Sequence, residues 1–208
     1  SDGGSTWTAF GTSTSLTESS ARTLKSTDYV RFVPEANWNG SAPTLTVALI
    51  DSSASVGTWS SVNVSTRGGT TAYSSSTIVL SHTVTAVNDA PVASGASTLA
   101  AIDEDTTDPT GATISSIFAA RFSDSTDTVT SGSSANTLAG IAITSYAKDT
   151  SKGNWQYSSD GTSWTALDTI ASAGSAISLG SGTYMRFVPA SNWNGAAPTL
   201  TAVLIDSS

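Results

Sequence analysis

One long-period repeat constrains this chain more than any other feature. Residues 29–53 read YVRFVPEANWNGSAPTLTVALIDSS, and residues 184–208 read YMRFVPASNWNGAAPTLTAVLIDSS. They align without a gap at an offset of 155 and agree at 19 of 25 positions. Upstream, SDGGSTWTAF at Ser1 is echoed by SDGTSWTAL at Ser159. Self-similarity over so long a period marks a module copied in tandem, and such arrays serve reach and assembly more often than chemistry. The period implies that both ends of the chain fall inside a module. The first copy lacks its front part, and the second stops where Ala54 follows in the first.

The second constraint is a sequence rich in strand and turn formers but almost free of helical periodicity. Serine and threonine make up 72 of the 208 residues. That share fits either a mucin-like stalk or a β-rich extracellular fold, since threonine favours strands and serine favours turns. Short alternating apolar and aromatic runs recur along the whole chain, which favours the folded β alternative. Candidate strands lie at 29–33, 44–50, 61–65, 77–87, 140–146, 154–158, 176–179, 184–188 and 199–205, each bounded by Gly, Asn, Asp or Ser clusters. The run at 77–87 (TIVLSHTVTAV) is the longest and reads as a full sheet strand. Residues 114–122 (ISSIFAARF) suit a short helical turn as well as a strand. Short strands at this spacing indicate a β-sandwich, one per 155-residue period.

The module boundary is expected at 87–92, VNDAPV. A strand ends there, Pro91 has no N–H to donate to a ladder, and an Asx-type turn separates two β regions. Residues 1–88 then form the back part of one module, and residues 89–208 the front and middle of the next.

Charge narrows the partners. The net charge is −8 with eight basic residues, which argues against nucleic acid and against anionic headgroups. There is no run of about 18 apolar residues to cross a bilayer. Cysteine is absent, so disulfides cannot supply rigidity. The acidic residues are concentrated. Of 16 in the chain, seven (Asp89, Asp103, Glu104, Asp105, Asp108, Asp124 and Asp127) lie between 89 and 127, beside a single base, Arg121. Such a cluster is either a solvated acidic surface or a calcium site, because calcium takes six to eight oxygens from carboxylates, amides and carbonyls at flexible geometry. Magnesium prefers fewer protein ligands, and zinc lacks partners with no Cys and only His82.

AVNDAPV at 86–92, IDEDTT at 102–107, FSDSTD at 122–127, and the NWNG, RFVP and SDG…W segments together resemble the cadherin-like tandem repeats of giant bacterial adhesins. These include the biofilm adhesins of the repeats-in-toxin (RTX) group. The resemblance extends over essentially the whole chain. It implies all-β, tandem immunoglobulin-like (cadherin-like) β-sandwiches with calcium (Ca2+) near the linkers. It also implies that Asn88 and Asp89 are linker ligands, that Glu104 and Asp105 come from the first loop of the following module, and that Asp124 and Asp127 come from the next turn. The sequence departs from the pattern in two respects: GGxGxD repeats are absent, and the linker is not a full DxNDNxP.

The remaining motifs read as structural. Trp38 and Trp193 occupy the same NWNG turn, and Trp7 and Trp164 both follow the SDG turn, so recurrence suits a structural plug better than a sugar-stacking platform. Arg31 and Arg186 precede Phe-Val-Pro and suit a cross-strand partner or a cap over an aromatic ring. There is no GxSxG elbow and no possible Cys–His pair, so no enzymatic activity is expected. The sequons at Asn39 and Asn63 are treated as chance, since the first is lost at Asn194-Gly-Ala196.

These features point to an extender or fibre module of a bacterial cell-surface adhesin or extracellular filament, secreted and stiffened by calcium. Its partners would be neighbouring identical modules, in tandem or head-to-tail, with the strand at 77–87 able to complement a neighbour. A glycan-binding adhesive module and an accessory domain of a secreted hydrolase are the alternatives. Glycan binding mapped to Trp59 or Trp155, each present in one copy, would favour the first of these.

Overall fold

The computed structural model describes residues 4–10 and 16–208. The front of the first SDG turn, at residues 1–3, lies outside the described residues. Strands outweigh helix, 32% against 7%, so the chain is mostly β, arranged in several small sheets. Among the described residues no helix is long and apolar enough to cross a membrane. The chain divides into two compact units, Ser1–Ala86 and Val87–Ser208.

Among its described residues the first unit holds six strands in three antiparallel pairs. They are β1 (Ala21–Arg22), β2 (Gly40–Ser41), β3 (Leu45–Ile50), β4 (Ser61–Val62), β5 (Tyr73–Leu80) and β6 (Thr83–Val84). β1 pairs with β4, β2 with β6, and β3 with β5. The expected single strand at 77–87 is therefore two elements, β5 beginning earlier and β6 following a break. Only Ala42 and Val64 among its described hydrophobic residues are buried, while Leu49, Ile78, Val79 and Leu80 are each more than half exposed. Two-stranded ribbons without a shared apolar face are marginal structures in water.

The second unit builds a core. Its elements are β7 (Val92–Ala93), β8 (Ala112–Thr113), the helix α1 (Ile114–Phe118), β9 (Phe122–Ser123), β10 (Leu138–Tyr146), β11 (Gly153–Ser158), β12 (Thr165–Ala166), β13 (Ile177–Gly180), β14 (Tyr184–Pro189) and β15 (Leu200–Asp206). Helix α1 resolves the ambiguity at 114–122. Thr113 caps it, its side chain accepting from the Ser116 amide. One sheet runs β13-β10-β15 and another β12-β11-β14-β8; β7 and β9 form a small ribbon. The buried cluster takes Ile141, Ile143, Tyr146 and Leu179 from the first sheet, Met185 from the second, Ile114 from α1, and Leu167 and Ile170 from the intervening loop. Leu200, Ala202 and Leu204 of β15 pack against it. Gly140 is tied to this packing, because a Cβ there would stand 2.3 Å from the Leu179 carbonyl oxygen.

The repeat allows one sequence to be compared in two surroundings. YMRFVP at 184–189 is β14, paired with β11 on one side and β8 on the other. YVRFVP at 29–34 forms no strand, contrary to expectation. It joins none of the β-ladders of the described residues. An extended segment holds its conformation through a neighbour's N–H and C=O groups, and a good strand sequence alone does not supply them. Burial follows: Phe187 is 8% exposed and its copy Phe32 38%, while Met185 is 2% exposed and its copy Val30 42%.

This difference is measurable. Phe187→Ala should destabilise the protein by about 3–5 kcal/mol in urea unfolding, as for a buried aromatic, and Phe32→Ala by less than half as much. Equal losses at the two copies would contradict the burial described here.

Candidate functional site

The six expected calcium ligands divide between two sets of partners. Asn88, Asp89, Asp124 and Asp127 meet around Asn136. After β9 the chain turns at Asp124 into a short 3-10 turn, Ser125–Asp127, which brings the two aspartates within one turn of each other. Both are buried, Asp124 at 5% and Asp127 at 7% exposure. The Asn136 amide N–H donates to Asp124 Oδ2 at 2.5 Å. Its side-chain Nδ2 donates to Asn88 Oδ1 at 2.6 Å and, more weakly, to Asp127 Oδ2 at 3.5 Å. The Asp89 amide donates to Asp127 Oδ1 at 3.0 Å. Asn88 Nδ2 reaches Asp206 Oδ2 at 3.4 Å.

This arrangement leaves charge without compensation. Among the described residues no Lys, Arg or His forms an ion pair with Asp124 or Asp127. Asp124 Oδ1 is buried and accepts no hydrogen bond. Burying a carboxylate oxygen without a partner is costly, and a cation at that point would remove the cost. Calcium takes carboxylate and amide oxygens, and beside the two carboxylates the group presents one side-chain amide oxygen, Asn88 Oδ1, which accepts from Asn136 Nδ2. Among the described residues no three His, Asp or Glu side chains gather as a metal-ligating group, so amide or backbone oxygens would have to complete the coordination.

Glu104 and Asp105 are engaged elsewhere. Asp105 Oδ1 accepts the Asn192 amide at 2.7 Å, and Glu104 Oε2 accepts Asn194 Nδ2 at 3.0 Å. These carboxylates hold the NWNG turn, whose Asn192 adopts a left-handed φ of 57°. The first copy repeats the turn with Asn37 at 59°, a conformation that Asn tolerates better than most residues. In both copies the turn's tryptophan meets the preceding phenylalanine, at 5.4 Å for Phe32–Trp38 and 5.8 Å for Phe187–Trp193.

Asp108, the fifth of the seven acids in chain order, pairs with Arg186. The guanidinium lies 4.0 Å from the Trp164 ring centroid. It also donates to Gln156 Oε1 at 2.7 Å, to the Pro109 carbonyl at 3.0 Å and to Asp108 Oδ1 at 2.5 Å. Both roles expected for this arginine, cross-strand partner and aromatic cap, are thus filled by one side chain. Arg31 stacks on Trp7 at the same 4.0 Å. Gly111, at φ +70°, passes close to the Arg186–Trp164 stack; a Cβ there would stand 2.7 Å from the Met185 carbonyl oxygen and 3.1 Å from the Trp164 ring.

Two members of the Asp124 group escape sequence reading. Asn136 sits in SSAN, which carries no distinguishing signal. Asp206 belongs to the repeated LIDSS, where the recurring Asp was visible. It accepts the Ser208 amide at 3.1 Å, as Asp51 accepts that of Ser53 at 2.8 Å. Donation from the Ser208 hydroxyl and amide holds its carboxyl below the usual range. No protein-family model matches the chain, and no curated protein or solved structure does so either.

The SDG turn offers a pH test. Asp160 Oδ1 accepts the amides of Ser163 at 2.7 Å and Thr162 at 2.8 Å and the Ser158 hydroxyl at 2.8 Å. These donors, Ser163 first, hold its carboxyl far below the ordinary value. A folded-state value below the unfolded one, about 3.9, means that the stabilisation is fully present above that pH and is lost as pH falls toward the folded value. The gap in melting temperature between the natural protein and Asp160→Asn should therefore be widest near neutrality and close below about pH 4. A gap that does not change with pH would count against this account.

Proposed function

We propose that the chain is a stretch of a tandem array of immunoglobulin-like, cadherin-like β-sandwich modules. It would act as a calcium-stiffened extender or fibre segment of a bacterial cell-surface adhesin or extracellular filament, without enzymatic activity of its own. The gap-free repeat supports the array. The sandwich reading is supported by the second unit, whose three-stranded and four-stranded sheets feed one buried cluster.

The observation that carries the calcium reading is the buried, unpartnered Asp124 Oδ1 next to linker residues. Asn88 and Asp89 of the AVNDAPV segment are hydrogen-bonded to the same group as Asp124 and Asp127. Asp124 and Asp127, with the side-chain oxygen of Asn88, would hold the ion, and Asn136 would orient them through its N–H groups. Calcium supplies positive charge that offsets two buried carboxylates and ties the linker to the body of the second unit. Anchoring a linker in this way suits a part whose work is to keep its shape under extension.

Calcium titration with thermal unfolding tests the reading. At 100 times its dissociation constant a ligand bound only by the native state contributes ~2.7 kcal/mol. For a unit of this size that is a rise of about 10 °C. Asp124→Asn and Asp127→Asn should abolish the rise. Glu104→Gln should keep it, because that carboxylate serves Asn194. Identical melting in calcium and in chelator would overturn the calcium reading.

A further inference from the structure

The repeated LIDSS segment closes β15 with an aspartate whose two oxygens serve different donors. Asp206 Oδ1 accepts the Ser208 amide at 3.1 Å, which makes an Asp-Ser-Ser turn. The first unit forms the same turn, with Asp51 Oδ1 accepting the Ser53 amide at 2.8 Å, so the turn is a local property of these residues. Asp206 Oδ2 is left for Asn88 Nδ2, at 3.4 Å and 118 residues away in the chain. Two further contacts fix the aspartate in place. Leu138 is its register partner in the ladder with β10, and the Thr137 amide donates to the neighbouring Ser207 Oγ at 3.1 Å.

The effect on Asn88 follows from the chemistry of the two side chains. An ionised carboxylate only accepts, whereas a carboxamide carries an accepting oxygen at one end and a donating NH2 at the other. Asp206 therefore dictates that Asn88 faces it with Nδ2. Asn88 Oδ1 is thereby turned toward Asn136 Nδ2, which it meets at 2.6 Å and which also reaches Asp127 Oδ2 at 3.5 Å. Turned over, the Asn88 amide would set N–H donors where a cation needs an oxygen. Asn136 is the weaker guide, because it is itself a carboxamide and can present either end; a carboxylate cannot.

We infer that Asp206 is a positioning residue of the calcium site, holding Asn88 with its side-chain oxygen turned to the group that contains Asp124 and Asp127. The inference rests on the calcium reading. Among the described residues Asp206 does not gather with those two aspartates as a three-carboxylate group, so its part is orientation and not ligation. An ion bound there would join three stretches of chain: the linker at Asn88, the loop carrying Asp124, Asp127 and Asn136, and the exit from β15. Partners that orient a metal's ligands commonly change its affinity by about 10- to 100-fold.

The test is calorimetric titration of calcium chloride into the 208-residue protein at physiological ionic strength, where exposed charges more than about 8 Å apart are largely screened. Asp206→Asn keeps an oxygen for the Ser208 amide and replaces the other by NH2, so Asn88 must turn its own oxygen toward residue 206 and away from the site. Calcium affinity should fall about tenfold. Asn88→Ala should fall to a similar degree, and adding Asp206→Asn to it should bring no further loss, because the aspartate acts through Asn88 alone. Unchanged affinity in Asp206→Asn would overturn the inference. So would losses that add in the double variant, since they would mark a charge effect or a general loosening. Either result, with binding still abolished by Asp124→Asn, would leave the calcium reading standing. A natural protein that binds no calcium would overturn both.

Discussion

The structure depends on one requirement: an extended segment must have a neighbour to take its backbone hydrogen bonds. β14 meets that requirement on both sides and carries Met185, Arg186 and Phe187 into the interior. The nearly identical residues 29–34 join no described ladder, and Val30, Phe32 and Val33 are far more exposed than their copies. Side-chain chemistry is almost constant between the two, so the ladder decides the outcome. Hydrophobic burial in the second unit is in that sense a consequence of pairing, since only a paired strand presents alternate residues to a common core.

The same contrast explains what was legible in the sequence. Turns were legible because their determinants are local. The NWNG turn keeps its left-handed asparagine and its tryptophan–phenylalanine contact in both copies, and the Asp-Ser-Ser turn keeps its amide acceptor. Strand identity was legible only as potential. The runs at 140–146, 154–158 and 199–205 lie within or overlap β10, β11 and β15, but residues 29–33 do not form a strand, and the run at 77–87 breaks into β5 and β6. The all-β class therefore followed from composition and spacing, whereas sheet order did not, because alternation does not say which strand lies beside which.

The acidic stretch illustrates the same limit for a site. Its seven carboxylates look alike in sequence, yet they do different work. Glu104 and Asp105 accept from an asparagine-rich turn, Asp108 pairs with an arginine held on a tryptophan, and Asp124 and Asp127 are buried with no basic side chain paired to them among the described residues. Of these acids only Asp124 keeps a buried carboxylate oxygen with no hydrogen-bond partner among the described residues. Spacing alone cannot separate these roles. The separation comes from the positions of Asn136, Asn192 and Arg186, each distant in sequence from the acid it serves.

The pairing of β10 with β15 also governs how quickly the second unit can form. Its register joins Ile143 to Ala202 and Tyr146 to Leu200, so the strands that hold the core meet across a loop of more than fifty residues. Closing a loop of that size carries an entropic penalty before any ladder bond offsets it, and contacts of such long range slow folding. Until residues 200–206 arrive, Ile141 and Ile143 have no complete sheet to shelter them. The unit is thus limited by topology rather than by local propensity, and its folding must wait for β15.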